Sequence, residues 1–404
     1  MLLHKTDKLT RIVKNNLCLG CGLCEAIGSK IGYSMYLSED GFYKPKLPEI
    51  RNSKIEAKIE KVCPAINIRP SNLAAASVWG SMLSLNRVHA TDASIRNTAS
   101  SGGGLSSVGI YLLEKNLVNA ILHVGRVSND SLENKLFVSR TKEEVIRNAS
   151  SRYAPAKVFN DLAQILETNE TETFAFIGKP CDISGLKNYL AIYPQYRDRI
   201  KYFLSFFCAG MPSYEATRQL LTTAKNQEMP YYLKYRGEGW PGYFTAKYRD
   251  GSTISVSYEK SWGEVLGKQV HPRCKICPDG IGMSADIVFG DAWETVDGYP
   301  DFQEKKGKSL AIARTHRGAS LLESVMNNGN LNGEKIDKCR ASRMQPYQHQ
   351  RRLFVGYRIA VVQILTFFLL DFRKTGFLRL MIRYPLHKGL KQAGGTLRRF
   401  LKGA

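Results

Sequence analysis

The chain has 404 residues, of which 43% are hydrophobic and 23% charged. That length exceeds what one compact core fills, so two or three domains are expected, and the composition is that of an ordinary globular protein. The formal net charge is +22, but residues 340–404 hold 14 Lys/Arg against Asp371 alone, a net +13, which leaves +9 for the other 339 residues; the basic excess belongs to the tail, which argues against nucleic acid as a partner.

Met1-Leu2-Leu3-His4-Lys5-Thr6-Asp7 lacks the apolar run of a secretory leader. The nine cysteines are an odd number in short-spaced groups, not a disulfide framework, so a reducing, cytoplasmic compartment is expected. The first group is Cys18-Leu19-Gly20-Cys21-Gly22-Leu23-Cys24. Three thiols two residues apart, with glycines between them, let a short loop point all three at one inorganic cluster. The spacing matches the first three ligands of the bacterial ferredoxin run C-x2-C-x2-C-x3-C-P. The fourth place is Gly28, and the missing Cys-Pro stands later as Cys63-Pro64. The arithmetic closes one [4Fe-4S] cluster on Cys18, Cys21, Cys24 and Cys63, with no ligands left nearby for a second. A structural zinc site also takes four cysteines, usually from paired C-x2-C hooks. Gly41-Phe42-Tyr43 reads as a turn into a short strand, Pro45 and Pro48 as a loop, and residues 54–62 as a helix leading to Cys63. Pro70-Ser71-Asn72 reads as a boundary.

Residues 74–85 form an apolar, strand-like run leading to Asn97-Thr98-Ala99-Ser100-Ser101-Gly102-Gly103-Gly104. In 105–118, Leu105, Val108, Leu112 and Leu117 fall near one helical face. A Ser/Gly loop therefore opens a helix. Such a loop offers backbone N–H groups at the positive end of the helix dipole, which suits a phosphate; a plain helix cap with a flexible lead-in accounts for the same residues. It is not a dinucleotide fingerprint, because Ser107 stands where G-x-G-x-x-G needs its last glycine. Residues 118–127 read as a strand, and Ser151-Arg152-Tyr153-Ala154-Pro155 as a loop carrying a cation and an aromatic ring.

Two strand-to-helix units follow. Thr173-Phe174-Ala175-Phe176-Ile177 is an apolar strand, Gly178-Lys179-Pro180-Cys181 a turn, and 182–190 a helix. Tyr202-Phe203-Leu204-Ser205-Phe206-Phe207 is a strand ending at Cys208, and Ala209-Gly210-Met211-Pro212-Ser213 turns it into a helix near Tyr214. The alternation predicts an α/β fold (α+β overall) with a mixed, largely parallel sheet and flanking helices. Each strand delivers a cysteine at its C-terminal end, where such sheets hold ligands. Cys274-Lys275-Ile276-Cys277-Pro278-Asp279 is a metal hook ahead of Ala285-Asp286-Ile287-Val288-Phe289-Gly290-Asp291-Ala292-Trp293, a strand flanked by carboxylates. Cys181, Cys208, Cys274 and Cys277 make a second set of four, read as a second [4Fe-4S] cluster. Two other readings fit them: buried thiols beside a zinc-binding hook, or a nucleophilic Cys181 activated by a helix N-terminus. Cys339 is left as a plain thiol.

In the tail, 353–372 is apolar at its centre but interrupted by Arg358 and Gln363, and its charge-free core is too short for a bilayer span. Residues 376–384 alternate Leu/Met/Ile with Arg379 and Arg383, and Leu397, Phe400 and Leu401 lie beside Arg398, Arg399 and Lys402. These are basic amphipathic helices, either lying on an anionic membrane surface or docked on the protein with a solvated basic face.

Taken together over residues 15–320, the chain resembles the coenzyme F420 hydrogenase/dehydrogenase beta subunit family. The resemblance rests on the Cys18–Cys24 run, Ala99-Ser100-Ser101-Gly102-Gly103, Ser151-Arg152-Tyr153, Gly178-Lys179-Pro180-Cys181 and Phe207-Cys208-Ala209-Gly210. Arg236-Gly237-Glu238-Gly239-Trp240-Pro241-Gly242, Cys274-x-x-Cys277 and the Ala285–Trp293 stretch complete it. It implies an iron–sulfur flavoprotein that binds FAD and exchanges electrons with ferredoxin or another redox donor and with a small-molecule substrate, which in some members is the deazaflavin coenzyme F420. The Arg-Gly-x-Gly-Trp-Pro-Gly form resembles members from bacterial gene neighbourhoods for surface polysaccharides. The implied cofactor contacts are Ser100, Ser101, Gly102, Gly103, Arg152, Tyr153, Lys179, Arg236 and Trp240. The implied organisation is a ferredoxin-like module over 1–70, the two parts of a flavin-binding domain over 71–160 and 161–335, and a basic helical tail over 336–404. An electron-transfer subunit without its own substrate, or a zinc-stabilised scaffold, are the competing classes. Three features depart from the family pattern: a single cluster run, Lys179 where small or hydroxyl residues are frequent, and the tail. The expected place is the cytoplasm, with the tail reading leaving open a peripheral position on the inner membrane face.

Overall fold

The computed structural model describes residues 7–70, 77–128, 131–168, 170–222 and 228–401. The expected boundary at Ser71-Asn72 and the first residues of the expected 74–85 strand lie outside them. A hairpin of β1 (Ser34–Leu37) and β2 (Tyr43–Lys46) belongs to the N-terminal region. β3 (Ser84–Ala90), β4 (Ala120–Arg126), β5 (Asn134–Ser139), β6 (Phe174–Gly178) and β7 (Ile200–Phe206) follow. A separate antiparallel sheet holds β8 (Tyr232–Lys234), β9 (Tyr243–Lys247) and β10 (Thr253–Ser257). β11 (Ile287–Asp291), the short pair β12 (Thr295–Val296) and β13 (Tyr299–Pro300), β14 (Ser309–Ala313) and β15 (Leu331–Lys335) complete the strands.

Eight strands form the main sheet in the order β15-β3-β14-β11-β7-β6-β4-β5. Its centre, β11-β7-β6-β4, is parallel. Antiparallel strands extend it on both sides, β5 beyond β4 and β14, β3 and β15 beyond β11. The protein is thus the mixed α/β fold expected from the alternating units. The parallel strands are covered on both faces, and β6 accordingly reads as an unbroken apolar run. Side chains alternate across the sheet: Ala175 and Ile177 of β6 join a core with Val108 and Leu112 of the Gly104–Glu114 helix. Phe174 and Phe176 join the opposite core with Phe159 and Leu186, the latter from the Pro180–Ile192 helix.

The strand expected over 74–85 begins instead at Ser84. The residues before it are held by side chains, not by a ladder. Trp79 stacks on Phe207 at 5.8 Å and donates Nε1–H to Ser342 Oγ (3.0 Å). Arg314 donates to the carbonyls of Trp79 (2.9 Å) and Ser81 (2.8 Å).

The two ends of the chain share one core. Leu9 and Ile12 of the Lys8–Lys14 helix and Ile59 of the Ser53–Val62 helix pack with Val355, Ile359 and Val362 of the Pro346–Thr366 helix. Asp371 N–H donates to Ile66 O (2.8 Å), and Ile68 N–H to Asp371 O (3.4 Å). The Pro346–Thr366 helix of the tail is therefore docked on the protein. Among the described residues, no helix is long and apolar enough to cross a membrane.

Candidate functional site

At the C-terminal ends of the parallel strands lies a cavity of about 240 Å3. The parallel order places the segments after β6, β7 and β11 side by side there, and the Ser/Gly loop closes one wall at the start of the Gly104–Glu114 helix. Gly103 takes φ +77°, and a Cβ on Gly104 would stand 2.6 Å from the Phe289 ring; the helix start can approach the sheet only without side chains. Ser100, Ser101, Gly103, Arg152, Tyr153, Lys179 and Arg236 all line the cavity. Hydrogen bonds join their loops: Ser151 N–H donates to Ser100 Oγ (2.6 Å), and Ser150 Oγ–H to Arg236 O (2.5 Å).

Two of the implied residues stand behind this lining. Gly102 donates its N–H to Ser309 Oγ (2.9 Å). Trp240 is buried, stacks on Trp293 at 4.7 Å and donates Nε1–H to Asp291 (2.8 Å). Arg236 is fully occupied by the protein. Its Nη1 and Nη2 make a bidentate pair with Asp291 (3.0 Å each), and its Nε–H reaches Pro241 O (2.9 Å). Burial alone would lower the Arg236 pKa, but Asp291 outweighs it and holds the guanidinium charged. Arg152 is different: its Nε is buried with no hydrogen-bond partner. A buried donor left unpaired costs about 1–3 kcal/mol, so an acceptor entering the cavity is favoured at this point. Residues that the sequence did not single out also face the cavity. His123 on β4 pairs with Ser139 Oγ (2.8 Å), and burial, then the Arg152 charge, pull its pKa down to about 4. Asp182 binds Lys179 Nζ (2.7 Å). Burial works against the Lys179 charge, but Asp182 and the neighbouring Cys181 and Cys208 raise its pKa.

The four cysteines of the first set line one small pocket of about 40 Å3. Gly20 (φ +64°) and Gly22 (φ +88°) bend the loop around it. A Cβ on Gly20 would stand 2.7 Å from Tyr43 O, so the wrap needs glycine. Cys63 is delivered by the C-terminal end of the Ser53–Val62 helix. Burial is the main cause of their raised thiol pKa values: Cys18 is pushed up to about 12, and Cys21 is raised further by its neighbours Cys63, Cys24 and Cys18. Four thiols crowded together would repel one another once ionised, so they ionise together only around a cation, which is the donor chemistry of a metal cluster.

The second set gathers from three segments. Cys181 lies in the first turn of the Pro180–Ile192 helix, Cys208 just past β7, and Cys274 and Cys277 on the hook. They are electrostatic neighbours: burial and then Cys274 push the Cys208 thiol up to about 12, while burial and Asp182 raise Cys181 well above its ordinary value. Burial and the adjacent Asp182 carboxylate thus work against a reactive thiolate at Cys181, while Lys179 favours one. Among the described residues, no three His, Cys, Asp or Glu side chains stand in the arrangement of a single-ion site. Arg273, next to Cys274, donates to Ala65 O (2.6 Å) and Pro64 O (3.5 Å), next to Cys63. On the other side, Lys179 and Cys208 belong to the cavity lining. The second set thus adjoins the first through Arg273 and the cavity through Cys208.

Two family models cover more than half of the chain. Both describe the beta subunit of coenzyme F420 hydrogenase/dehydrogenase: the model of its N-terminal part matches residues 86–163, and the model of its C-terminal part matches residues 171–338. The chain belongs to the coenzyme F420 hydrogenase/dehydrogenase beta subunit family. It is 25% identical over 254 residues to the coenzyme F420 hydrogenase subunit beta of Methanococcus voltae, covering 61% of this chain and 82% of that one. The coenzyme F420-dependent sulfite reductase of Methanocaldococcus jannaschii is 21% identical over 362 residues, covering 85% of this chain and about half, 51%, of the relative. The 7-hydroxymethyl chlorophyll a reductase of Oryza sativa is 25% identical over 227 residues, covering 55% of this chain and 46% of the relative. A chain of the F420-reducing [NiFe] hydrogenase complex from Methanosarcina barkeri shares the fold, with a TM-score of 0.52, 18% identity, and coverage of 70% of this chain and 94% of that one.

Within this beta-subunit fold, the tail beyond residue 338 reaches back to the second cysteine set. Arg351 donates to Cys208 O (3.1 Å) and Cys274 O (2.6 Å), and Gln348 to Cys208 O (3.1 Å). Arg352, buried, donates to Pro278 O (2.6 Å) and Val78 O (3.1 Å). Sequence reasoning gives no signal for these contacts, because their acceptors are backbone carbonyls, which every residue has.

Proposed function

We propose that the chain is an oxidoreductase built to hold two [4Fe-4S] clusters and one FAD, taking electrons from ferredoxin or a similar donor and delivering them to a small organic substrate or a deazaflavin coenzyme. The observation that carries this reading is that the Cys181/Cys208/Cys274/Cys277 set adjoins both the Cys18/Cys21/Cys24/Cys63 pocket, through Arg273, and the large cavity, through Lys179 and Cys208. Clusters carry single electrons, and a flavin exchanges one or two, so the pair joins one-electron to two-electron chemistry. The chain's own residues supply binding and charge. Arg152 Nε–H would donate to a phosphate or to the electron-rich edge of a ring. The N–H groups at the start of the Gly104–Glu114 helix suit a diphosphate. Lys179, held charged, sits between the cavity and the second set. Nine free cysteines suit a reducing, cytoplasmic setting.

The names of the relatives, a hydrogenase subunit and two reductases, support the coarser part, electron transfer in an oxidoreductase. The word "subunit" favours a second reading, in which this chain admits electrons for a docked partner and has no substrate of its own. Anaerobic purification with analysis of iron, acid-labile sulfide and flavin tests the main reading. About eight iron, about eight sulfide and one flavin per chain are expected. Stoichiometric zinc would sink it in favour of a scaffold. Arg152→Ala should lose flavin, about ten- to hundredfold in affinity, while keeping its iron. Steady turnover by the isolated chain with a chemical reductant would count against the second reading.

A further inference from the structure

Beyond the docked Pro346–Thr366 helix, the chain makes a short helix, Phe377–Arg383, and a longer one, Leu386–Leu401. The longer helix has three sides. Gly389 and Thr396 are buried; a Cβ on Gly389 would stand 2.3 Å from the Tyr357 ring, and Arg358 donates to Gln392 (2.5 Å). That side is docked on the Pro346–Thr366 helix. At about 100° per residue, Leu386, Leu390, Leu397, Phe400 and Leu401 fall in one sector of about 100° beside the docked side, and all five are exposed. Lys388, Lys391, Arg398 and Arg399 occupy the remaining sector.

The neighbouring segments repeat this pairing of bare apolar side chains with cations. Ile382 is 86% exposed on the short helix, beside Arg379 and Arg383. In the loop after the docked helix, Phe368 and Leu370 enter the core, whereas Phe367 (87%) and Leu369 (84%) point outward, ahead of Arg373 and Lys374.

We propose that these three segments form a surface that binds an anionic lipid bilayer, with the Leu386–Leu401 helix lying in the headgroup plane. Charge decides the occupant. From Phe367 onward the chain carries nine Lys/Arg and one acid, Asp371, which matches an anionic leaflet, and a second copy of the same tail would be repelled by its own sign. An apolar stripe flanked by lysine and arginine is the pattern of an interfacial helix, not of a spanning one. The inference is independent of the redox reading.

Flotation of the full-length protein tests it, with vesicles of phosphatidylcholine alone and with phosphatidylglycerol added. About tenfold more protein should float with the anionic vesicles, and the preference should fade in high salt. Leu390→Glu combined with Leu397→Glu should reduce flotation to the phosphatidylcholine level with circular dichroism unchanged. Ile382→Glu, outside the long helix, should do the same in part and serves if the double variant misfolds. Wild-type protein that stays at the bottom overturns the proposal. So does a double variant that floats like wild type, or one whose only change is the loss of a dimer in solution.

Discussion

The two cysteine sets have the same donors and are built in opposite ways. Three members of the first come from seven consecutive residues, Cys18 to Cys24, and their geometry is stored in the backbone angles of Gly20 and Gly22. The second has no such loop. Cys181 and Cys208 meet because β6 and β7 are adjacent and parallel, and the hook joins them through packing that includes Arg351 of the tail helix. A loop-built site depends on a few dihedral angles. A sheet-built site depends on the whole register, so it inherits the cooperativity of the fold.

The sharpest test of that contrast is removal of a ligand on each side. Cys21→Ser and Cys208→Ser should each lose about half the iron, measured by metal analysis on anaerobic protein; loss of all the iron from either variant would show that the sets are not separate. The next lever acts on the sheet-built side, through His123 in the cavity wall. Its pKa lies at about 4 in the folded chain against an ordinary 6.5. Between those values the unfolded chain takes up a proton that the folded chain refuses. The stability held above pH 6.5 therefore falls as the pH drops toward 4, by roughly 3 kcal/mol. Urea midpoints of wild type and His123→Gln across this window should diverge, and parallel pH dependences would refute the assignment. Arg273→Met cuts the tie between the two sets and leaves the Ala65 carbonyl without its donor, at a cost of about 1–3 kcal/mol; an unchanged melting temperature would mean that the tie is ornamental. Gly20→Ala touches the first set alone. The left-handed backbone and the approach to Tyr43 O predict a loss of about 1–2 kcal/mol, with the iron of the second set retained.

Much of the framework was legible because it is written in local patterns. The apolar runs around β6 and β7 and the turns after them identified the parallel units, and the Ser/Gly stretch marked the start of the Gly104–Glu114 helix. The 74–85 run misled, since an apolar segment around Trp79 packs as readily in a side-chain-held turn as in a strand. Within the cavity, the Ser/Gly loop was legible as a helix start, whereas Arg152, Tyr153 and Lys179 were singled out only by the family resemblance. His123 was not, because one histidine in an apolar strand carries no periodic or motif signal. Trp240 was a reasonable stacking candidate by type, yet its partner is Trp293. The carboxylate of Asp291 occupies both Arg236 and Trp240, a pairing across 51 residues that no local pattern encodes.

By itself the sequence determined the Cys18–Cys24 run and the Cys274–Cys277 hook, the parallel α/β character and the concentration of positive charge after residue 339, because each is a matter of residue type and short spacing. The tertiary structure alone decided that the second set adjoins both the first set and the cavity, that the Pro346–Thr366 helix is core while the Leu386–Leu401 helix keeps a leucine stripe bare, and that Gln348 and Arg351 cap carbonyls of the second set. The physical reason is common to all three. They depend on which strand ends and backbone carbonyls are brought together by sheet order and helix docking, and strand order and carbonyl position leave no trace in the identity of any one residue.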